Sequence, residues 1–230
     1  MHEATVMVAP ERTGVANGMM DNAKWQRLDD IASRVLDVTL AVTALIILAP
    51  LMAIVAAVIY ILDPGPVIFA HQRIGRGGRS FPCLKFRSMV VDADARLRNL
   101  LETSAEARAE WERDHKLRDD PRVIGIGRFL RKTSLDELPQ LWNVVRGDMS
   151  LVGPRPIVVG EISRYGRYFE HYCAVRPGIT GLWQVGGRND VSYRRRVAYD
   201  VTYSRARSCA MNVKIIAYTV PSVLFQRGSY

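Results

Sequence analysis

The sequence predicts a mixed α/β protein, a helix-rich α+β fold in which an apolar membrane segment precedes one compact basic domain. Three observations carry this expectation. Residues 38–62 are 25 consecutive positions without Asp, Glu, Lys, Arg or His, bracketed by Asp37 and Asp63. Residues 71–230 hold 28 Lys and Arg against 16 Asp and Glu, while residues 1–37 are slightly acidic. After Asp63, short apolar runs bounded by Gly and Pro alternate with helical stretches. The chain therefore divides into a tail at 1–33, a membrane segment at 34–62 and a catalytic-sized domain at 63–230.

The tail has mixed polarity and no sustained period, and reads as mobile at least as far as residue 24. The apolar run is long enough for a membrane helix. It begins too late and is too long for a secretory signal. Pro50 stands at its centre with 12 uncharged residues on each side. Each half would be about 18 Å long, against a hydrocarbon core of about 30 Å. A straight helix would span with tilt; a helix broken at Pro50 would dip in and return to the same face. Lys24, Arg27 and Arg34 precede the run, and Arg73, Arg76, Arg79 and Lys85 follow it, so charge favours neither orientation.

Asp63-Pro64-Gly65-Pro66 is a turn. Val67–Ile74 and Ser80–Met89 read as strands of a hairpin around Gly75–Gly78. Residues 92–117 read as one largely solvated helix, stopped by Asp119-Asp120-Pro121. Ser134-Leu135-Asp136-Glu137 matches the capping box S-x-x-E, followed by Leu138, Leu141, Trp142 and Val145 at helical spacing. Gly147 ends that helix. Two Pro/Gly-rich turns follow, Val152–Pro156 and Arg176–Gly178. Ser192–Arg207 reads as a basic helix and Asn212–Phe225 as an apolar one interrupted at Pro221. The helical stretches suit amphipathic elements lying at a membrane surface.

Asp136 and Glu137 are the first candidates for chemistry. Adjacent carboxylates at a helix start can bind a hard cation, and one can act as a nucleophile. Capping and the helix dipole explain the same pair without function. Arg131 and Arg155 nearby favour a site for Mg²⁺ and phosphate. Lys85 and Arg87 alternate on one strand face, which a solvated face also explains. Trp183, Gln184 and Arg188 offer an aromatic face, an amide and a guanidinium for a nucleobase and diphosphate; a buried turn Trp is the plainer alternative.

Some classes are excluded. Cys83, Cys173 and Cys209 are far apart and form no C-x-x-C pair, which fits a reducing compartment. His71 and His171 lack metal-ligand spacing, and no nucleic-acid-binding signature accompanies the net charge of +9.

The ordered motifs add what no single one carries. They are Arg34-x-x-Asp37, the Pro50-containing apolar helix, Gly65-Pro66-Val67-Ile68-Phe69, Gln72-Arg73-Ile74-Gly75 and Lys85-Phe86-Arg87-Ser88-Met89. Asp120-Pro121-Arg122-Val123, Leu135–Gln140, Arg146–Pro156 and Arg176–Gln184 follow. From about Arg34 to Gly228 the chain resembles the bacterial sugar transferases, the monotopic phosphoglycosyl transferases, especially the short exopolysaccharide-initiating kind. The resemblance implies transfer of galactose- or glucose-1-phosphate from a UDP-sugar to undecaprenyl phosphate, with release of UMP. It implies Asp136 as the nucleophile of a ping-pong reaction, Glu137 as its Mg²⁺-associated partner and Arg155 as a phosphate-binding arginine. It further implies a re-entrant helix broken at Pro50, inner-membrane lipids as partners and a cytoplasmic catalytic domain. A membrane-anchored scaffold without catalysis is the alternative, and the pattern is compatible with a homodimer.

Overall fold

The computed structural model describes residues 13–114, 117, 120–186 and 191–224. Its first helix, α1 (Thr13–Leu62), is 50 residues long. The helix passes through Pro50 without interruption, so the expected break at that residue is not seen. A proline deletes one backbone hydrogen bond and leaves the helical path available when the surrounding turns are held. Part of the segment expected to be a mobile tail, from Thr13 onward, also belongs to α1; residues 1–12 lie outside the described residues.

One face of α1 meets the domain at helical spacing. Asp37, Ala41, Val55 and Ile59 are buried, with Ala44, Leu45, Met52 and Ala56 partly so. Much of its other surface from Val35 onward is exposed and apolar, including Val35, Ile46, Ile47, Ile54 and Ile61. Among the described residues this is the one helix long and apolar enough to cross a membrane.

Polar contacts fasten both ends of the uncharged run to the same domain. Arg34 donates to the carbonyls of Val144 (2.7 Å) and Val145 (3.0 Å). These carbonyls belong to the last turn of α5 (Gln140–Arg146), where the regular helical donors run out; Val144 O also accepts from the Gly147 N–H at 3.0 Å. Asp37 Oδ1 accepts from the Leu151 N–H at 3.0 Å. At the far end Asp63 accepts from the Arg87 guanidinium and, at 3.1 Å, from the Val91 N–H.

The hairpin forms as expected. β1 (Ile68–Ile74) pairs antiparallel with β2 (Ser80–Phe86), Phe69 opposite Lys85. The expected helix over 92–117 is two pieces, α2 (Ala93–Thr103) and α3 (Ala105–Asp114). Ser104 separates them with extended backbone, and its hydroxyl accepts from the Ala107 N–H at 3.1 Å. A short hydroxyl side chain serves better as a cap than inside a helix. α4 (Gly127–Thr133) leads to a single 3-10 turn over Leu135–Glu137, and then to α5.

β3 (Ser150–Val152) pairs in parallel with β4 (Gly178–Thr180). The two Pro/Gly-rich motifs therefore form one unit. Gly153 N–H donates to Thr180 O, and Gly178 N–H to Pro154 O, both at 2.8 Å. A Cβ on Gly178 would fall 2.1 Å from the Gly153 nitrogen, so this crossing admits glycine alone. Between the strands lie α6 (Ile162–Tyr165) and α7 (Phe169–Cys173). After them come α8 (Leu182–Gly186), α9 (Tyr193–Ala206) and α10 (Cys209–Leu224). Ser192 caps α9 by accepting from the Arg195 N–H at 3.3 Å. α10 continues through Pro221, where an interruption was expected.

Candidate active site

The site is assembled from the hairpin and the turn between α4 and α5. Ser134 closes α4 in a left-handed conformation (φ 58), its N–H donating to Arg131 O at 3.3 Å. An N-cap needs extended backbone, so Ser134 cannot complete the capping box, and its side chain makes no cap hydrogen bond. The expected reciprocal cap is therefore replaced. Glu137 turns instead to the hairpin, where Lys85 Nζ donates to its Oε1 at 2.6 Å. The same ammonium lies 3.8 Å from Asp136 Oδ2.

Strand register places Lys85 there, and a buried side chain fixes the register. Asn143 of α5, fully enclosed, accepts from the Leu84 N–H at 2.9 Å through Oδ1. Its amide nitrogen donates to Pro82 O at 2.8 Å and to Asp148 Oδ2 at 3.2 Å. Asn143 thus acts as a surrogate neighbouring strand for β2, one residue from Lys85. Nothing in local sequence singled it out; a polar residue on the apolar face of a predicted helix was the available signal.

Asp136 is buried, and burial pushes its carboxyl above the usual aspartate range. Lys85 and Arg131 oppose that shift, while the neighbouring Glu137 adds to it. The result is a desolvated carboxylate whose ionised form depends on adjacent cations.

The pair opens into a cavity of about 740 Å³, lined also by His71, Arg73, Lys85, Arg87 and Arg131. Arg131 Nε donates to Ser88 Oγ at 2.9 Å. Arg87 is buried and committed to Asp63, so it braces the cavity wall. Partial burial, reinforced by Arg73 and Lys85, holds the His71 imidazole below its usual value.

The remaining expected residues stand elsewhere. Arg155 is exposed in its Pro-flanked turn and is not part of this lining, although its charge reaches Arg73. Trp183 is buried on α8 beneath the Arg196 guanidinium, 4.1 Å from the ring centre. Neither Trp183 nor Gln184 lines the cavity. Arg188 lies outside the described residues.

Among the described residues no three of His, Cys, Asp and Glu converge as a metal-binding group. Asp136 and Glu137, two adjacent carboxylates on this cavity, are the donor type that a hard cation takes while it keeps waters.

A carboxylate pair steadied by a hairpin lysine, facing a cationic cavity beside a membrane-type helix, suits chemistry on phosphate groups at a lipid surface. Comparison with known families decides between the alternatives: the bacterial sugar transferase model matches residues 28–226. The chain belongs to that family. It is 43% identical over 226 residues to the exopolysaccharide production protein ExoY of Sinorhizobium fredii, covering 98% of this chain and 96% of that one. It is 48% identical to the undecaprenyl-phosphate galactose phosphotransferase of Salmonella typhimurium, covering 92% of this chain and 44% of that protein. It is 40% identical to the UDP-glucose:undecaprenyl-phosphate glucose-1-phosphate transferase of Caulobacter vibrioides, covering 87% and 73%. The sugar transferase thus spans less than half of some relatives and nearly all of others.

Proposed function

We infer that the protein transfers a sugar 1-phosphate, galactose or glucose, from a UDP-sugar to undecaprenyl phosphate and releases UMP. The step would begin exopolysaccharide synthesis at the inner membrane, with the domain facing the cytoplasm. The observation that carries this reading is the Asp136–Glu137 pair held by Lys85 at the mouth of a cationic cavity. The relatives' names supply the donor and acceptor.

In the ping-pong form of the reaction, an Asp136 oxygen attacks the sugar-bearing phosphorus. The bond from that phosphorus to the bridging oxygen breaks, and UMP leaves with the electron pair. An oxygen of the acceptor phosphate then attacks the same phosphorus, and the Asp136 carboxylate departs. Lys85, Arg73 and Arg131 offset the repulsion between carboxylate and diphosphate. Asp136 and Glu137 would hold a Mg²⁺ ion, which would neutralise phosphate charge. Covalent storage lets a soluble donor and a membrane-embedded acceptor bind in turn.

The monotopic arrangement has its own support. A straight span would carry Asp37 and Asp63 to opposite faces of the bilayer, yet both are fastened to one domain.

Incubation with UDP-galactose or UDP-glucose labelled in the β-phosphate, without acceptor, should label wild-type protein but not Asp136→Asn. Addition of undecaprenyl phosphate should discharge the label into lipid. Wild-type protein that releases no UMP from either donor would defeat this reading.

A further inference from the structure

The lining of the cavity at Asp136 is of two kinds. His71, Arg73, Lys85 and Arg131 are cationic or polar. Pro66, Ile68, Phe69, Met89 and Val91 are apolar, and Phe69, paired with Lys85, shares a strand face with His71 and Arg73. Ile68, Phe69 and Val91 are 38%, 52% and 61% exposed. An exposed apolar group of that size beside cationic side chains needs an occupant.

Its position in the chain narrows the occupant. Phe69 and Ile68 follow α1 by only a few residues, and Ile61 and Leu62 at that end of the helix are also exposed. Val67 packs with Val55 and Ile59 of α1, so the start of the hairpin rests on the second half of that helix. Asp63 binds the Val91 N–H and the Arg87 guanidinium, tying the helix end to the lip. Exposed apolar surface is therefore present both at the end of the membrane-type helix and on the rim beside the carboxylates.

We propose that Ile68, Phe69 and Val91 form the subsite for the first isoprene units of the acceptor lipid, with its phosphate directed toward Lys85 and Asp136. This rests on the sugar-phosphate transfer reading above and assigns the acceptor's place within it. A polyprenyl phosphate has the two chemistries that this lining offers. Ile68, Phe69 and Val91 supply no side-chain donor or acceptor for a base edge, which disfavours the nucleobase as their occupant. His71 lies 5.9 Å from Phe69 between ring centres, so the apolar and polar parts of the lining adjoin.

The test uses full-length protein in detergent micelles, with Phe69→Ala and Phe69→Leu compared with wild type. Phe69 is half exposed, and loss of its ring leaves the packed core intact. Phe69→Ala should raise KM for undecaprenyl phosphate about tenfold, the order expected for losing contact with one large apolar side chain. KM for the UDP-sugar and the rate of covalent labelling should not change. Geranyl phosphate, which carries only the first isoprene units and does not depend on the bilayer, should compete with the acceptor. Its inhibition constant should rise by a similar factor in Phe69→Ala. Phe69→Leu should recover most of both losses, because an apolar contact does not require an aromatic ring.

A raised donor KM with unchanged acceptor KM would make Phe69 a nucleobase platform and overturn the proposal. So would a defect limited to undecaprenyl phosphate, since that would reflect membrane association alone. Wild-type protein that turns over undecaprenyl phosphate but is not inhibited by geranyl phosphate would also overturn it. Wild-type protein without turnover would remove the parent reading and this assignment together.

Discussion

Lys85 Nζ lies 2.6 Å from Glu137 Oε1, and this contact sets the charge balance of the site. It joins the hairpin to the α4–α5 turn across 52 residues of sequence. The pair is partly open to solvent, so its contribution to stability is modest. Its larger effect falls on Asp136, whose ionised form Lys85 supports against burial.

Lys85→Met should therefore reduce transfer by about 10²-fold or more, the loss typical of removing one group aimed at developing charge. The pH profile carries the sign. Burial raises the Asp136 pKa and Lys85 lowers it, so losing Lys85 moves the acid limb of the rate profile to higher pH. Activity relative to wild type should be worse at pH 6 than at pH 8. Initial rates of UMP release across that range check this, and an acid limb that stays in place would show that Lys85 does not tune Asp136.

Asp136→Asn should abolish covalent labelling while leaving the protein at least as stable as wild type. The folded-state pKa of Asp136 is raised, so its favourable contribution is complete below the unfolded value of 3.8. That contribution is lost as pH rises through the folded value, which leaves an ionised, desolvated carboxylate at neutral pH. The amide removes this penalty. Thermal unfolding in detergent at pH 7 should show an equal or higher midpoint beside absent labelling. A large drop in the midpoint would mean that the carboxylate holds the turn together.

The hairpin and the basic helix over α9 were legible, and Asp136, Glu137 and Lys85 could be named as candidates, because each depends on neighbours in sequence. Alternation put Lys85 on a strand face, and Ser192 could be read as a helix start. The failures have a common cause. Ser134–Glu137 fits a capping pattern, but the left-handed backbone at Ser134 and the ammonium of Lys85 redirect Glu137. Trp183 was a nucleobase candidate, but the Arg196 guanidinium covers its ring. The roles of Arg34, Asn143 and Asp63 rest on partners 110, 59 and 24 residues away, beyond any local rule.

A second buried carboxylate gives a pH signature independent of catalysis. Asp200 accepts from the Tyr165 hydroxyl at 2.7 Å, and burial pushes its pKa up to about 7 despite that bond and the nearby Arg196. The stability it provides is complete below its unfolded value of 3.8 and is lost as pH rises through about 7. The full loss is on the order of 4 kcal/mol, taking about 1.4 kcal/mol per pKa unit. Asn at this position still accepts from Tyr165 but does not ionise. Asp200→Asn should match wild type near pH 4 and exceed it by several degrees in unfolding midpoint at pH 8. Parallel midpoint curves for the two proteins would refute a buried titrating Asp200.

The topology of α1 follows from where its ends are held. Between Asp37 and Asp63 a straight helix advances about 39 Å, enough to cross a hydrocarbon core of about 30 Å. A crossing would require one end to release its contacts, either Asp37 from Leu151 or Asp63 from Arg87 and Val91. Each release would strand a carboxylate's partners near the membrane boundary, where unmet polar groups are costly. The helix should therefore keep both ends on one side of the bilayer. Lys24 is exposed before the apolar run and Glu102 is exposed in the domain after it. Cysteines at these positions, in a background lacking the three native ones, should both resist an impermeant maleimide in intact cells. Both should react after lysis. Labelling of Lys24→Cys from outside with Glu102→Cys protected would establish a span, and would mean that the two anchoring contacts do not coexist in the membrane.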